Sequence, residues 1–192
     1  MIVREASVSD YIAVSKIISS VFSEDLKMIT SKAVDESLVL PFIEKAGYNI
    51  YVAKEQAKIL GAIVISRRKL SFSPSLIWFY FKNFGIFASL RSYLRLTMFR
   101  KKMPKKLDNE YFIEAIAVDE TARNRGIGRE LVVQVEKTLK EKNVKYLGLL
   151  VRAENTAVEF YRALGFAKVK DCATRAFGKW YYMRKALNPN FL

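Results

Sequence analysis

The sequence predicts an α/β fold in which one sheet is flanked by helices. Residues 110–166 carry the main observation, because strand and helix patterns alternate there, with a glycine turn after the first strand. Hairpin patterns lie on either side of this stretch, at 49–66 and 166–186. The chain has 192 residues, of which 51% are hydrophobic, so a single domain, 1–192, with one core is expected.

The first 66 residues have the patterns of a strand, two helices and a hairpin. Ser7 or Ser9 can cap the first helix, because a serine hydroxyl accepts a hydrogen bond from a free amide of the first turn. Gly47 is expected to end the second helix, since glycine readily adopts the conformation found after helix ends. The expected elements are strand 2–5, a helix after the serines, helix 31–46, and strands 49–54 and 59–66.

The second half of the chain is expected to complete the sheet. The strand near residue 146 is apolar throughout, as in a strand that is covered on both faces. Gly165 is expected to end the helix before the last hairpin. The expected elements are strand 110–118, helix 129–142, strand 146–151, helix 156–164, and strands 166–171 and 179–186.

A basic insert, 67–109, separates the first hairpin from the central strand. Between Ser66 and Asn109 there are eleven Lys or Arg residues and one acid, Asp108, which gives +10 of the net charge of +14. One interpretation is a helical lid or hairpin packed on the body with its charges solvated. The other is a surface that docks on an anionic membrane, an acidic protein or RNA. The sequence leaves both open.

The insert also has the pattern of a helix. Ser73-Pro74 is a good helix start, and Gly85 is a potential break between two helices. Apolar side chains that recur every three or four residues predict one helical stripe. The stripe consists of Leu76, Tyr80, Phe84, Phe87, Leu90, Leu94 and Met98, with Lys82, Ser89, Ser92 and Arg95 roughly opposite.

Composition excludes several kinds of site. The chain has no histidine, which excludes histidine bases, Ser-His-Asp triads and most zinc sites, and we expect no metal cofactor. Its one cysteine, Cys172, excludes an internal disulfide and favours a reducing compartment. The N-terminus lacks the pattern of a signal peptide and no apolar run is long enough to span a membrane, so a cytoplasmic protein is expected.

The glycine turn at 123–128, Arg-Asn-Arg-Gly-Ile-Gly, lies between a strand and an amphipathic helix. Glycine allows close approach of a ligand to the backbone, and the first amides of a helix lack acceptors within it. Such a turn can bind an anion such as a pyrophosphate. A plain connection with a tight turn is the alternative. The turn is not a dinucleotide fingerprint, whose third glycine would fall at Leu131, and no Gly-Lys-Ser/Thr follows as in a Walker loop.

The motif R-x-x-G-x-G follows AIAVDE, and NTAVEFYRALGF lies downstream. Together they resemble the GNAT superfamily of acetyl-CoA-dependent N-acetyltransferases. The resemblance is tight over 110–166 and looser over 1–66 and 167–186, and the insert lies outside it. It implies a mixed, mostly antiparallel sheet of about seven strands, splayed in the middle and flanked by helices. The splay is expected between the strands at 110–118 and 144–151.

The resemblance also implies how acetyl-CoA binds. Its pantetheine arm would pair with the strand edge, and its phosphates would meet the turn and the arginines around it. Asn155 is six residues before Tyr161, whereas the family spacing is seven, which places Glu154 in the usual position; Asn155 either contacts the pantetheine or only caps the helix. The expected cofactor-binding residues are Ile116, Ala117, Val118, Arg123, Asn124, Arg125, Gly126, Ile127, Gly128, Arg129, Asn155 and Tyr161.

Three residues are expected to be catalytic. Glu110 and Glu114 are four apart on a strand, so both point to one face, which Ile116 and Val118 are expected to share. Glu110 matches by position the base of ribosomal-protein alanine acetyltransferases, and Glu114 lies where other members place an acid. Either could instead be a surface charge or an ion pair with the insert. Tyr161 matches the family's general acid, although it could also be a tyrosine packed inward.

The resemblance implies an acyltransferase that moves an acetyl group from acetyl-CoA to a primary amine by direct attack in a ternary complex. An amide near Ala117 or Val118 would stabilise the oxyanion. The acceptor could be a small amine or a protein N-terminus, and the basic insert disfavours a free polycation. The alternative is a non-catalytic acyl-CoA-binding module that docks on a protein or membrane partner. Peripheral contact with an anionic surface and a homodimer are further expectations, and no specific nucleic-acid partner is expected.

Overall fold

The computed structural model describes residues 1–30, 34–45, 48–67, 81–105, 107–175 and 177–188. Its strands are β1 Ile2–Glu5, β2 Asn49–Glu55, β3 Lys58–Arg67, β4 Glu110–Val118, β5 Tyr146–Arg152, β6 Ala167–Thr174 and β7 Gly178–Ala186. Its helices are α1 Tyr11–Thr30, α2 Glu36–Lys45, α3 Ile86–Lys102, α4 Ile127–Glu141 and α5 Ala157–Ala163, with 3-10 turns at Val8–Asp10 and Glu120–Ala122. None of the described helices is both long and apolar enough to cross a bilayer.

The seven strands form one sheet in the order β1-β2-β3-β4-β5-β7-β6. The pair β4–β5 is parallel and the other five pairs are antiparallel, which confirms the predicted mixed, mostly antiparallel sheet. Strands β4 and β5 pair from Glu110↔Tyr146 to Ile113↔Leu149 and then part. The second half of β4 therefore has a strand partner on the β3 side only, and the predicted splay lies there.

Strand β4 contains a bulge at Glu114, because its pairing with β3 skips this residue. An extra residue shifts the alternation of side chains by one position. Ile113 and Ile116 therefore pack in the same core, although they are three residues apart. Val118 packs there as well, on the face that carries α4. The expectation that Ile116 and Val118 share a face with Glu110 is wrong, since a bulge cannot be read from the alternation itself.

The two faces of the sheet carry different helices. Helices α4 and α5 pack on one face, in a core that includes Leu131 and Val135 of α4 and Tyr161 of α5. Helices α1 and α2 pack on the other face, together with Phe84 of the insert. Helix α3 contacts α1 and β6, and the Cys172 thiol of β6 donates to the carbonyl of Lys102 at 3.5 Å. The sheet thus separates an α4/α5 face from an α1/α3 face.

Local side chains determine where the first two helices begin. Ser7 caps the first helical turn, as predicted, and its amide donates to the Asp10 carboxylate at 2.8 Å. Helix α2 begins at residue 36 rather than 31, because the Asp35 carboxylate accepts from the Ser37 amide at 3.0 Å. Residues 31–33 and 46–47, including the predicted stop at Gly47, lie outside the described residues.

The insert forms a helix, but the part of its apolar stripe that lies on α3 faces outward, whereas Phe84 before it is buried. Gly85 has a φ of 78° and separates a short helical segment at 81–84 from α3, as its position predicts. Ser89 and Ser92 are buried, whereas Phe87 is 90% exposed. Small side chains allow α3 to approach α1 closely, which explains why the serine face is the packed one. The Ser73-Pro74 helix start and the stripe positions 76 and 80 lie outside the described residues.

Candidate active site

The glycine turn between β4 and α4 is open to an approaching ligand. Asn124 and Gly126 both have left-handed backbones, with φ of 63° and 78°. A Cβ atom added at Gly126 would have no neighbouring atom within 4 Å, so the space beside this residue is empty. The left-handed conformation explains why glycine stands here, because other residues adopt it at a cost.

The amides at the start of α4 point toward the turn. The Glu130 amide is the first that finds an acceptor one helical turn back, the Gly126 carbonyl at 3.1 Å. The geometry of a helix therefore leaves the amides of Ile127, Gly128 and Arg129 without acceptors inside α4. These amides and the positive end of the helix dipole suit an anion, and the open space at Gly126 fits a diphosphate.

Two of the three predicted arginines are engaged within the protein. The Arg125 guanidinium donates to both carboxylate oxygens of Glu55, each at 3.0 Å, and this hydrogen bonding lowers the pKa of Glu55. Arg123 lies 3.4 Å from the Glu120 carboxylate. Arg129 is exposed on the first turn of α4. An anion at the turn would thus compete with carboxylates for two of the arginines and approach the third directly.

The free edge of β4 offers amides to the splay. The Asp119 amide donates to the Leu60 carbonyl of β3 at 2.8 Å. Successive amides of a strand point to opposite edges, so the amide of Ala117 is directed to β3 and those of Ile116 and Val118 to the other edge. Strand β5 no longer pairs with β4 at this level. Two main-chain donors can therefore meet a ligand that lies along β4 as an added strand.

Three elements converge at the splay. A Cβ atom added at Gly128 of α4 would lie 3.4 Å from Cζ of Phe160 and 3.9 Å from Cδ1 of Ile116. The glycine turn, β4 and α5 thus meet around one opening. Phe160 was missing from the predicted site, although it directly precedes Tyr161 in the EFYRALGF motif. Phe160 lies next to Gly128 because α5 packs against α4, and the motif alone does not show this packing.

Tyr161 lies in the core beside this opening. Its ring makes edge contacts with Phe160 and Phe166, with centroids 5.2 and 5.8 Å apart. Burial raises the pKa of Tyr161 above its ordinary value, so the phenol is protonated at neutral pH. Proton transfer to a thiolate is then more uphill than for an exposed tyrosine. Asn155 caps the start of α5, since its Oδ1 accepts from the Ala157 amide at 2.8 Å. This is one of the two roles expected for Asn155.

Glu110 lies at the paired end of β4 in a buried network. It is fully buried, and one carboxylate oxygen accepts from the Tyr182 hydroxyl and from Nε of Arg184, the latter at 2.9 Å. The other oxygen accepts from the Leu107 amide at 3.2 Å. Gly148 makes room for the network, because a Cβ atom there would lie 2.9 Å from the Glu110 carboxylate. The arrangement suits a structural carboxylate, and it does not bring Glu110 to the splay.

Glu114 lies at the bulge, where β4 and β5 separate. It is exposed, and its carboxylate accepts from the Ser66 hydroxyl at 2.6 Å. Ser66 follows Ile65, which packs on the α4/α5 face, so strand alternation places Ser66 on the α1/α3 face. Glu114 and Tyr161 thus lie on opposite faces of the sheet, with the splay between them. Among the described residues, no cluster of three or more His, Cys, Asp or Glu could hold a metal ion.

The fold resembles solved acetyltransferases. A ribosomal-protein-alanine N-acetyltransferase from Brucella melitensis has a TM-score of 0.65 at 17% identity, over 97% of this chain and 99% of that one. The ribosomal-protein-S18-alanine N-acetyltransferase from Escherichia coli has a TM-score of 0.59 at 16% identity, over 97% and 94%. The yncA protein from Salmonella typhimurium, solved with its cofactor acetyl-CoA, has a TM-score of 0.61 at 14% identity, over 98% and 94%. No curated protein matches the sequence.

The sequence itself matches a family model. The model of the acetyltransferase (GNAT) family covers residues 19–166, which is more than half of the chain. Enzymes of this family are acyltransferases that use acetyl-CoA, in keeping with the glycine turn and the splayed sheet. The match confirms the resemblance drawn from the R-x-x-G-x-G and NTAVEFYRALGF motifs. This chain is a member of the GNAT acetyltransferase family.

Proposed function

We propose that the protein is an N-acetyltransferase that moves an acetyl group from acetyl-CoA to a primary amine by direct attack in a ternary complex. The observation that carries the proposal is the separation of β4 from β5 beyond the Ile113↔Leu149 pair. The glycine turn and Tyr161 lie on one side, and Glu114 lies on the other. A gap there would let two substrates approach from opposite faces and meet at β4.

The residues on the α4/α5 face fit coenzyme A. The amides of 127–129 and the exposed Arg129 would hold its diphosphate, and the amides of Ile116 and Val118 would hold the pantetheine arm. When bound, acetyl-CoA supplies the acetyl group as a thioester. One amide of this free edge of β4 would donate a hydrogen bond to the acyl oxygen, where negative charge develops, and the other would remain for the arm. Phe160 lines the same opening and would exclude water from it.

Two side chains would move protons. A lysine-like amine has a pKa of about 10.4, so its neutralisation at pH 7 costs roughly 4 to 5 kcal/mol. The Glu114 carboxylate would take this proton, directly or through a water molecule, as the amine nitrogen bonds to the acyl carbon. As the carbon–sulfur bond breaks, the Tyr161 hydroxyl would give its proton to the leaving sulfur. Glu110 matches the family's base by position. In this proposal it would hold the paired end of β4 and would not act as the base.

The charge of the insert and the structural neighbours limit the classes of acceptor amine to test. The +10 insert would repel a free polycation, so a neutral, acidic or macromolecular amine is favoured. Two of the structural neighbours are ribosomal-protein-alanine N-acetyltransferases, which makes a protein N-terminus one class to test. A small primary amine is the other class. The amine panel should therefore contain N-terminal peptides beside small amines.

Tyr161→Phe tests the proposal with acetyl-CoA and this panel. We expect turnover to fall about a hundredfold, because a general acid contributes at least that much, while the Kd for acetyl-CoA stays unchanged. Tyr51→Phe is the control, since it removes the hydroxyl of another buried tyrosine on β2, away from the splay. Calorimetry gives the affinity, and release of free thiol gives the rate.

The outcomes separate the two functions considered. If Tyr161→Phe turns over like the wild type, the phenol is not the acid and the mechanism is wrong. If the wild type binds acetyl-CoA but acetylates no member of the panel, the chain acts as an acyl-CoA-binding module. Absence of acetyl-CoA binding would contradict both functions.

A further inference from the structure

Helix α3 carries a row of apolar side chains that faces solvent. Phe87 is 90% exposed, Met98 66%, Leu94 54% and Leu90 52%. Their spacing of three or four residues places them on one side of the helix, over three turns. These four residues are called the outer stripe. Single exposed apolar residues are common, but an aligned row on one helix marks an interaction surface.

Among the described residues, the buried contacts that hold α3 on the body lie outside the outer stripe. The buried side of α3 carries Ser89 and Ser92, which are 7% and 4% exposed. Phe84, just before the helix, is buried in the core with α1. At the other end of α3, the Lys102 carbonyl accepts from the Cys172 thiol. The helix is thus anchored from inside and at both ends, which leaves the outer stripe for another contact.

Cations border the outer stripe. At 100° per residue, Lys101 falls within the arc of the stripe, and Arg91 and Lys102 follow along one edge. All three side chains are exposed. From residue 56 to residue 107 the sequence contains no Asp or Glu, so no carboxylate of this segment can neutralise them. The surface therefore combines an apolar row with positive charge that no carboxylate of its own segment offsets.

We infer that the outer stripe docks α3 on an anionic lipid bilayer. A helix with large apolar side chains on one face and Lys or Arg beside them lies in the interface plane, with the apolar face inserted about 5–10 Å. Anionic headgroups attract the cations, at about 1 kcal/mol for each Lys or Arg near the surface. A single helix ridge would need a matching groove on a protein, whereas a fluid bilayer adapts to it. Charge complementarity and this convex shape favour lipid as the partner.

Docking would also orient the enzyme. Helix α3 lies on the α1/α3 face of the sheet, and its outer stripe points away from the body. The face that carries Glu114 would then be directed to the bilayer, where membrane-borne amines are presented. The lipid contact itself does not depend on acetyl transfer, so it is measured without acetyl-CoA.

The experiment is flotation of the full chain with vesicles of phosphatidylcholine alone or of equal parts phosphatidylcholine and phosphatidylglycerol. We expect binding to the anionic vesicles at physiological salt and much weaker binding to the neutral ones. Phe87→Ser combined with Leu94→Ser should weaken binding tenfold or more, since two large apolar side chains no longer insert. Arg91→Gln combined with Lys101→Gln should weaken it roughly thirtyfold, at about 1 kcal/mol for each charge.

Matched variants on α4 control for general effects. Val133→Ser removes another exposed apolar side chain, 48% exposed, and Lys137→Gln with Lys140→Gln removes two exposed charges. Both controls should bind like the wild type, and all variants should keep its thermal midpoint, because the altered side chains are exposed. The proposal is overturned if the wild type does not float with anionic vesicles. It is also overturned if the outer-stripe variant floats like the wild type, which would leave only nonspecific charge attraction.

A protein partner would give a different result. If the outer stripe joins two copies of this chain, the wild type elutes as a dimer and the outer-stripe variant as a monomer. If it binds an acidic protein, neither vesicle floats the wild type. Either result would overturn the lipid proposal.

Discussion

The two halves of β4 differ in their strand partners and in the burial of their glutamates, although they belong to one strand of nine residues. The first half pairs with β3 on one side and β5 on the other, and it buries Glu110 against Tyr182 and Arg184. The second half pairs with β3 alone and carries the exposed Glu114 at its bulge. One carboxylate is buried and accepts from Tyr182, Arg184 and Leu107, and the other is exposed and accepts from the Ser66 hydroxyl of β3.

The difference shows how one strand can both fix a sheet and open it. Pairing on both edges and a buried ion pair hold the first half in place. The bulge then shifts the side chains by one position, so that Ile116 faces α4, while the unpaired edge leaves amides available. In the proposed mechanism, only the exposed carboxylate of the second half would reach a substrate and take its proton. Identical residue types four positions apart therefore have different environments, one buried in an ion pair and the other exposed.

The largest effect is expected from Glu110→Gln. This change leaves the Arg184 guanidinium, whose side chain is 15% exposed, without its charge partner. Loss of one partner of a buried pair costs about 3–5 kcal/mol, so the free energy of unfolding should fall by that amount. Urea denaturation measures it, and Glu114→Gln should stay within about 0.5 kcal/mol of the wild type as the matched surface variant.

Glu110→Gln is also the sharpest test of the difference between the two halves of β4. The folded fraction of this variant should retain a rate near that of the wild type, measured at a temperature where it is fully folded. Unchanged stability together with lost activity would assign the base to the first half of β4 and contradict the distinction between the halves.

Glu114→Gln is expected to act on the rate alone. An amide cannot accept the proton of the amine, and a general base contributes about a hundredfold, so kcat should fall by about that factor. The thermal midpoint and the Kd for acetyl-CoA should stay those of the wild type, because Glu114 is exposed and lies on the opposite face from the glycine turn. Steady-state kinetics at saturating acetyl-CoA measures the effect. A rate equal to that of the wild type would mean that another group or water takes the proton.

The smallest effect is expected from Gly126→Ala, which tests the ligand side of the splay. Alanine in the left-handed conformation costs about 1 kcal/mol, and a shifted turn should weaken acetyl-CoA binding about fivefold. Gly178→Ala is the matched control, since Gly178 also has a left-handed backbone, with φ of 69°, and open space beside it. Both variants should lose similar stability, but only Gly126→Ala should bind more weakly. Equal affinity of the two would argue against a diphosphate at the turn.

Local patterns in the sequence were sufficient for most elements of the fold. The bounds of the central strand, 110–118, agree with β4, and the glycine turn and the seven-stranded sheet were predicted. The bulge at Glu114 was not, because register depends on the pairing with β3. The side-chain partners of Glu110 come from 72 and 74 residues away, so no local pattern reveals them. The outward stripe of α3 likewise depends on which face the body covers.

The ion pair between Arg125 and Glu55 has a consequence for the electrostatics of ligand entry. Because a neighbouring carboxylate already neutralises this guanidinium, a diphosphate bound at the turn as proposed would exchange one counter-ion for another. The gain in binding free energy is the difference between the attraction to the diphosphate and the attraction to Glu55. An exposed ion pair of this kind contributes at most about 1 kcal/mol. The affinity should therefore decline less steeply with ionic strength than three unneutralised arginines would imply. When the diphosphate leaves, the released Arg125 can return to Glu55, which makes the exchange readily reversible.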